Sequence, residues 1–171
     1  MGFQDAVRTC LRKYATFSGR ASRPEYWYFM LFLFLGNLAL GIVDGILFGG
    51  EVRVEPGSLS AQGNGPLVSL FSLATLVPSL AAGWRRMHDT GRSGLFLLYP
   101  LIVMVGISLF LGLMAGFGNL AAGNFGALFA VLGGLVTTGA LLVLMISPLL
   151  VLWWLTRPSQ PGANEFGPPP G

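Results

Sequence analysis

The sequence has very little charge. Only 10% of its 171 residues are Asp, Glu, Lys or Arg, whereas soluble domains average roughly 25%. From Ser93 to Thr156 there are 64 consecutive residues without any of the four. No soluble fold requires such a tract, but a helix of about 20 apolar residues spans the hydrocarbon core of a bilayer. The scarcity of charge therefore argues against a soluble domain and predicts an integral membrane protein.

Cysteine and histidine are almost absent as well. Cys10 is the only cysteine and His88 the only histidine, so neither an intramolecular disulfide nor a metal site built on Cys and His spacing can form. No glycine-rich phosphate loop follows a predicted strand, and no nucleophile stands in a recognisable catalytic setting. We therefore expect no metal, no cofactor and no enzymatic activity.

The charge that is present is mainly basic, with a formal net charge of +3. The basic residues stand beside apolar segments and form no separate basic face, so attraction to anionic lipid explains them better than binding of nucleic acid. No nucleic-acid partner is expected. The first apolar run begins only near Tyr26, which does not fit a cleaved secretory signal. The first span is expected to act as its own insertion signal.

Residues 3–17 have the periodicity of an amphipathic helix. Phe3 and Phe17 fall on an apolar arc at 100° per residue, and Arg8 lies on the opposite face. A basic face opposite an aromatic one is typical of a helix that lies in the membrane interface. The same periodicity fits a helix that packs on the cytoplasmic surface of the protein, so both interpretations stand. We assign residues 1–25 to this segment.

Four apolar segments follow and form a membrane domain of residues 26–157. The connection between the first two holds charged, Gly and Ser residues and is predicted to be an exposed loop. Pro78, Pro100 and Pro148 lie within predicted spans and should kink them. The Pro- and Gly-rich residues 158–171 are predicted to form a flexible cytoplasmic tail. The approximate bounds of the spans are 27–48, 66–82, 95–117 and 125–155.

The fold class that follows is all-α: an integral membrane four-helix bundle with an N-terminal amphipathic interfacial helix. Under this arrangement nine Lys and Arg residues lie on one side of the membrane and Arg53 alone lies on the other. Cytoplasmic loops carry an excess of Lys and Arg, so both ends of the chain are predicted to lie in the cytoplasm. Three or five spans would scatter these charges over both sides.

Two short charged clusters flank the apolar segments, at residues 18–27 and 83–94. Each has more arginine than acid, and we expect the acids to pair with arginines of the same or the other cluster at the membrane rim. Arginines of the clusters are predicted to bind lipid headgroups or a protein partner, and tryptophans to anchor the rim. The predicted binding residues are Arg20, Arg23, Arg85, Arg86 and Arg92, the ion-pair residues are Glu25, His88 and Asp89, and the anchors are Trp27 and Trp84.

His88 and Asp89 are the only neighbouring residues with acid–base potential. In an enzymatic interpretation Asp89 orients or charges His88, and nearby arginines hold an anionic substrate. A structural ion-pair network explains the same residues more simply. An enzyme acting on lipid headgroups is therefore the least favoured function.

Two polar residues lie within the first span, Asn37 near its middle and Asp44 about two turns later. An intramembrane carboxylate is by default a functional candidate, because its burial requires a partner, a proton or water. Asn37 and Asp44 would line the path of a small oligomeric transporter or channel component, which is the alternative function. The competing interpretation, which we favour, puts Asp44 in water at the outer headgroup level.

Three motifs resemble those of a known family. Residues 17–27, Phe-Ser-Gly-Arg-Ala-Ser-Arg-Pro-Glu-Tyr-Trp, look like the N-terminal signature of the bacterial inner-membrane family called domain of unknown function 805. Residues 85–94 resemble its second signature, Arg-Arg-Leu-His-Asp-x-Gly-Arg-Ser-Gly, and residues 162–168 are similar to its Gly-x-Asn-x-Tyr/Phe-Gly ending. The glycine-rich residues 106–134 form a longer region than the family leads us to expect. The resemblance implies an integral inner-membrane protein and names no activity.

The leading prediction is a non-enzymatic inner-membrane protein whose Arg-rich cytoplasmic rim binds anionic lipid headgroups or a protein partner. Membrane lipids are the expected partners, together with a second copy of the chain or another membrane protein. Charge beside bilayer-length apolar segments supports this prediction, because such charge is costly inside the membrane and favoured at its rim.

Overall fold

The computed structural model describes residues 1–49, 52–55, 58–61, 65–120 and 126–170, and it describes the side chains of residues 1–49, 65–113 and 133–170. Four of the helical segments are long and apolar enough to cross a membrane, so the prediction of an all-α protein with four spans is confirmed. One small β-hairpin is added to the helices. In chain order the elements are α1 (Phe3–Arg12), α2 (Arg23–Phe48), β1 (Val52–Glu55), β2 (Ser58–Ala61), α3 (Pro66–Asp89), a 3-10 helix (Gly94–Leu98), α4 (Tyr99–Leu120) and α5 (Gly126–Thr156).

α2 begins at a sequence that favours a helix start. Ser22 is the N-cap residue, and its Oγ accepts a hydrogen bond from the backbone N–H of Glu25 at 3.4 Å. Pro24 follows in the first turn, where its missing N–H costs nothing, and the Glu25 carboxylate faces the positive end of the helix dipole. At the other end Gly49 has a φ of 61°, a left-handed conformation that terminates the helix.

α3 extends further than the sequence predicts. It continues through the second charged cluster to Asp89, whereas the apolar pattern suggested an end near residue 82. Arg and Met are good helix formers, and the charges in this segment find partners within the protein, so the helix ends only before Gly91, whose φ is 72°. The second cluster is therefore carried mostly on a rigid helix and not on a loop.

The third span differs from its prediction at its start. It begins with the 3-10 helix, and α4 follows from Tyr99. Pro100 therefore stands in the first turn of α4, where proline is tolerated, so the reason for expecting a kink inside this span does not apply. Pro78 and Pro148 do lie inside helices.

Each proline inside a helix leaves one carbonyl without its usual backbone N–H donor, and a hydroxyl group donates a hydrogen bond to that carbonyl instead. Pro78 has no N–H for the carbonyl of Ala74, and the Tyr14 hydroxyl donates to that oxygen at 2.5 Å. Pro148 frees a carbonyl of α5 in the same way, and the Ser147 hydroxyl donates to it at 3.1 Å. Such substitutes allow proline inside a spanning helix, because lipid offers no hydrogen bonds.

α1 packs against α2 and α3 and leaves part of its apolar face uncovered. Ala6 and Cys10 are fully buried, while Phe3 and Phe17 remain more than one third exposed. The ring of Phe17 packs edge-on against Trp84, with centroids 5.7 Å apart. α1, which ends at Arg12 and not at residue 17, therefore packs on the protein through Ala6 and Cys10 and leaves Phe3 partly exposed. Packing on the protein was one of the two interpretations, and the position of the helix in the membrane interface stays a prediction.

The connection between α2 and α3 is more regular than the predicted loop. β1 and β2 pair as antiparallel strands, with Val52 opposite Ala61 and Glu55 opposite Ser58. Apolar and charged residues alternate along β1 with the period of two that a strand requires. Four residues are too few for that alternation to indicate a strand from sequence alone.

The helices form two hairpins that join at one end of the molecule. We call this the charged end, because it is where α2 begins and where α3 and α5 finish. α2 packs along α3 and α4 along α5, and the hairpins meet chiefly through α3 with α5 and with the 3-10 helix. Many large apolar side chains elsewhere are exposed, as a lipid environment permits. The buried apolar core lies at the charged end and contains Cys10, Tyr26, Phe29, Ala82, Met87, Val151 and Leu155.

Candidate functional site

The two charged clusters meet in space at the charged end. Asp89 accepts a hydrogen bond from Arg20 Nε at 3.0 Å and also pairs with Arg86, and Glu25 pairs with Arg85. All five side chains are at most 3% exposed. The pairs Arg20–Asp89 and Arg85–Glu25 each join one cluster to the other, as the sequence led us to expect. We call these five residues the buried network.

Guanidinium groups of the buried network also cap the end of α5. Arg86 Nε donates to the carbonyl of Leu155 at 3.0 Å, and a terminal nitrogen of Arg86 donates to the carbonyl of Arg157. Arg20 donates to the carbonyl of Gly162 at 2.6 Å. The last carbonyls of a helix lack a helical donor and carry partial negative charge, so a cation there is favourable. The network thereby fixes α5 and the residues after it against α2 and α3.

The segment after α5 is docked against the second charged cluster. The N–H of Gln160 donates to the carbonyl of Asp89 at 2.9 Å, and Asn164 Nδ2 donates to the carbonyl of His88 at 3.0 Å. The ring of Phe166 stacks on His88 with centroids 3.9 Å apart. Proline and glycine prevent a helix here, as predicted, but the expectation of a flexible tail is corrected. The carbonyl and amide groups of this segment form hydrogen bonds with the buried network and with α3.

His88 and Asp89 do not form an acid–base pair. His88 Nδ1 lies 3.0 Å from the carbonyl oxygen of Gly19, which can only accept, so Nδ1 is the donor. The Asp89 carboxylate faces Arg20 and Arg86 instead. Consecutive residues on a helix point about 100° apart, so the two side chains enter different surroundings. This arrangement lends no support to an enzyme acting through His88 and Asp89.

Three of the five arginines predicted to bind headgroups are unsuited to that role. Arg20, Arg85 and Arg86 are at most 5% exposed, and their guanidinium groups have partners within the protein. They cannot reach a lipid headgroup without breaking buried ion pairs, which costs several kcal/mol, roughly 3–5. Among the described residues, Arg85 Nε is the only buried side-chain nitrogen or oxygen without a hydrogen-bond partner. The prediction of a binding role for these three is therefore corrected to a structural one.

Besides Arg8 and Arg12 of α1, three arginines from separate segments remain accessible at the charged end. We call Arg23, Arg92 and Arg157 the outer arginines. Arg23 and Arg157 are exposed and Arg92 is half-buried, and Arg23 Nε donates to the carbonyl of Arg157 at 3.0 Å. Over the part of the chain that the structure describes, none of the three pairs with a carboxylate, since Glu25 and Asp89 are engaged in the buried network.

Tryptophans of α5 support two of the outer arginines. Arg157 Cζ lies 4.7 Å from the ring centroid of Trp153, and Arg92 Cζ lies 5.1 Å from that of Trp154. Trp154 packs edge-on against Phe96 at 5.3 Å. The negative face of an indole attracts a cation and orients it. Burial, followed by the nearby positive charge of Arg157, lowers the pKa of Arg92, so these two cations lie close enough to repel each other.

Sequence reasoning selected Arg23 and Arg92 for the rim but used Arg157 only to end the fourth span and to orient the chain. The missed signal is the pair Trp153-Trp154, which stands just before Arg157 at the end of an apolar span. Tryptophan is enriched at the membrane–water interface. A tryptophan pair followed by arginine therefore indicates a residue at headgroup level.

The two predicted tryptophan anchors differ in their surroundings. Trp27 is 37% exposed near the start of α2, as an interfacial anchor requires. Trp84 is half-buried against Phe17 and lies so close to Gly94 that a Cβ at that glycine would overlap the indole. Trp84 therefore packs against the segment between α1 and α2 and against the turn after α3.

Asn37 and Asp44 link α2 to α3. Asn37 Oδ1 accepts from the Ser72 hydroxyl at 3.0 Å. The Asp44 carboxylate is 5% exposed and accepts from the N–H groups of Leu67 and Val68 at 3.1 and 2.9 Å, which caps the start of α3. The interpretation that Asp44 is simply in water is therefore wrong. Because both residues have partners within the protein, neither lends support to a transport path.

Cys10 lies against the buried network. Its Sγ is 3.8 Å from Glu25 Oε1 and 4.0 Å from a terminal nitrogen of Arg85. Burial, followed by the charge of Glu25, raises the pKa of the Cys10 thiol to about 11. Because the thiolate is the reactive form, this thiol is expected to react slowly at neutral pH. No three His, Cys, Asp or Glu residues in the described ranges are grouped to hold a metal ion.

Known proteins similar to this chain are membrane proteins. The family model described as "Protein of unknown function (DUF805)" matches residues 14–168. The inner membrane protein YhaH of Escherichia coli (strain K12) is 35% identical over 96 residues, which cover 56% of this chain and 72% of YhaH. The inner membrane protein YhaI of the same strain is 34% identical over 96 residues, covering 56% of this chain and 70% of YhaI. No solved structure matches the chain significantly.

Proposed function

We propose that this chain, which belongs to the DUF805 family of proteins of unknown function, is an inner-membrane protein that binds anionic phospholipid headgroups through its outer arginines. The observation that carries the proposal is that the arginines at the charged end fall into a paired group and an unpaired group. Those of the buried network are paired, whereas the outer arginines are accessible and lack a carboxylate partner in the described chain. Guanidinium groups bind phosphate oxygens through charge-assisted hydrogen bonds.

The buried network holds in place the backbone from which the outer arginines extend. Arg86 and Arg23 both donate to the carbonyl of Arg157, so the backbone from which the Arg157 side chain leaves is held in place. Arg92 follows α3, the helix that carries Arg86. Cations held in position lose less conformational entropy when they bind. Each basic residue near an anionic membrane surface contributes about 1 kcal/mol.

The proposed orientation places the charged end in the cytoplasm. The outer arginines and the basic residues of α1 lie on this side under the four-span arrangement, and Arg53 lies on the other. The excess of basic residues on cytoplasmic segments supports this orientation. It also brings the outer arginines to the leaflet in which anionic lipids create a negative surface potential.

Cysteine labelling of intact cells tests the orientation. A membrane-impermeant maleimide should label Ser60→Cys, in β2, and should not label Pro169→Cys, near the end of the chain. The native Cys10 is an internal control for a thiol of low reactivity. The rise of its pKa from 9.0 to about 11 lowers its thiolate fraction about 100-fold at neutral pH. Its labelling in permeabilised cells should rise about tenfold per pH unit until that pKa is reached.

The opposite labelling pattern, with Pro169→Cys modified in intact cells and Ser60→Cys modified only after permeabilisation, would reverse the orientation. Modification of both in intact cells would contradict the four-span arrangement, because three spans lie between the two positions and an odd number places them on opposite sides.

Native mass spectrometry of the detergent-solubilised protein tests headgroup binding. In titrations with phosphatidylglycerol and with phosphatidylcholine, we expect tighter binding of phosphatidylglycerol. Arg23→Gln, Arg92→Gln and Arg157→Gln should each weaken its binding about fivefold, which corresponds to about 1 kcal/mol per cation. The triple variant should lose most of the preference for phosphatidylglycerol, because only the basic residues of α1 are then left at this end to attract a charged headgroup.

Arg53→Gln is the matched control, since it makes the same chemical change at the opposite end of the spans. It should leave phosphatidylglycerol binding unchanged. Equal binding of the two lipids by the unmodified protein, or equal weakening by Arg53→Gln and Arg157→Gln, would contradict a headgroup site at the charged end.

A further inference from the structure

The end of α5 supports two guanidinium groups on two separate indole rings. Arg157 lies over Trp153 and Arg92 lies over Trp154. Because consecutive residues of a helix point about 100° apart, the two indoles face different directions and orient their cations separately. The outer arginines therefore provide two neighbouring anion-binding positions and not one pocket in which a single phosphate would contact every cation.

The donors at these positions are largely unused. In the described chain Arg157 makes no hydrogen bond through its guanidinium, while Arg92 donates only to the carbonyl of Thr90, at 3.1 Å. Arg23 uses its Nε on the carbonyl of Arg157, at 3.0 Å, and keeps its terminal nitrogens free. The three guanidinium groups thus come from the start of α2, the turn after α3 and the end of α5, and none pairs with a carboxylate of the described residues.

Repulsion among these cations favours a ligand with more than one negative charge. Burial, followed by the positive charge of Arg157, lowers the pKa of Arg92, so the two cations repel each other. One phosphodiester neutralises one charge and leaves the neighbouring position vacant. Two phosphates joined in one molecule occupy both positions, and the second then binds at the high effective concentration that a covalent link provides.

We propose that the preferred ligand of the outer arginines is a lipid with two phosphate groups in one headgroup, of the cardiolipin class. This inference rests on the proposed function and specifies its ligand. One phosphate lies against Arg157 and the other against Arg92, with Arg23 beside the first. The exposed face of Trp153 lies at the level where the headgroup meets the acyl chains, as is usual for interfacial tryptophan.

Native mass spectrometry of the solubilised full chain distinguishes the two ligand classes. Cardiolipin and phosphatidylglycerol are compared at equal phosphate concentration, with phosphatidylcholine as the neutral reference. We expect cardiolipin to bind at least about tenfold more tightly than phosphatidylglycerol, because its second phosphate binds intramolecularly. Arg92→Gln should remove most of this preference while leaving phosphatidylglycerol binding at the remaining position, whereas Arg53→Gln should leave the preference unchanged.

Equal affinity for cardiolipin and phosphatidylglycerol, both above phosphatidylcholine, would overturn this inference and leave the proposed function standing. Equal affinity for all three lipids would overturn both. Inorganic diphosphate is added as a competitor without acyl chains. Weak competition supports the lipid assignment, and displacement of cardiolipin at comparable concentration would overturn it in favour of a soluble ligand with two phosphates.

Discussion

Replacing Asp89 with Asn is expected to lower the free energy of unfolding by about 3–5 kcal/mol. The Asp89 carboxylate accepts hydrogen bonds from Arg20, Arg86 and the Ser159 hydroxyl. Asparagine has nearly the same shape but no charge, so two buried guanidinium groups would lose their shared counter-charge. Its NH2 group would also face a donor. A fall in the midpoint of thermal unfolding, measured in detergent, would report the loss.

Asp5→Asn is the matched control for this variant. Asp5 is an exposed acid in the first turn of α1, and a surface substitution of this kind usually changes stability by at most about 0.5 kcal/mol. If the unfolding midpoint of Asp89→Asn equals that of the unmodified protein, then the carboxylate is solvated and the buried network does not hold α2, α3 and α5 together.

Glu25→Gln is expected to destabilise the protein by a similar amount, about 3–5 kcal/mol, and a second change, Arg85→Met, is expected to restore most of the loss. Glu25 is the only carboxylate that pairs with Arg85 among the described residues. The single change leaves a buried cation alone, whereas the double change removes both charges. Replacing a buried ion pair with neutral side chains of similar volume is often tolerated.

A double-mutant cycle of unfolding midpoints measures this compensation. Arg85→Met alone leaves Glu25 buried without its partner and should be about as damaging as Glu25→Gln. The double variant should be more stable than either single variant. If the losses of the two single variants simply add, the residues are not coupled and the pairing of Glu25 with Arg85 contributes nothing to stability.

The contrast between Arg20 and Arg23 shows what sequence reasoning could not decide. Both belong to the same cluster and both were predicted to bind headgroups, yet Arg20 is buried against Asp89 and Arg23 is exposed at the first residue of α2. Which of two nearby arginines turns inward depends on where α3 and the tail pass. Local pattern predicts that the cluster lies at the rim, but it does not reveal the direction of each side chain.

The tail is a second example of what local sequence pattern could not predict, here for the backbone. Proline and glycine were predicted to exclude a helix after residue 157, and over the described residues 158–170 that prediction is correct. Composition does not reveal that Gln160 and Gly162 place their carbonyls against Arg20, or that Phe166 stacks on His88. These contacts join residues that are 140 or more positions apart for Arg20, a separation at which no local pattern carries information.

The sequence by itself determined the number of spans, their approximate bounds and the end of the molecule that carries the charge. Each of these depends on whether a segment is more stable in lipid or in water, which its own composition decides. Only the tertiary structure decided that Asp44 caps α3. It also decided that Arg20, Arg85 and Arg86 form buried ion pairs. Arg157, in contrast, joins Arg23 and Arg92 at the surface. Ion pairs and hydrogen bonds form between groups a few ångströms apart, and only the packing of the helices sets those distances.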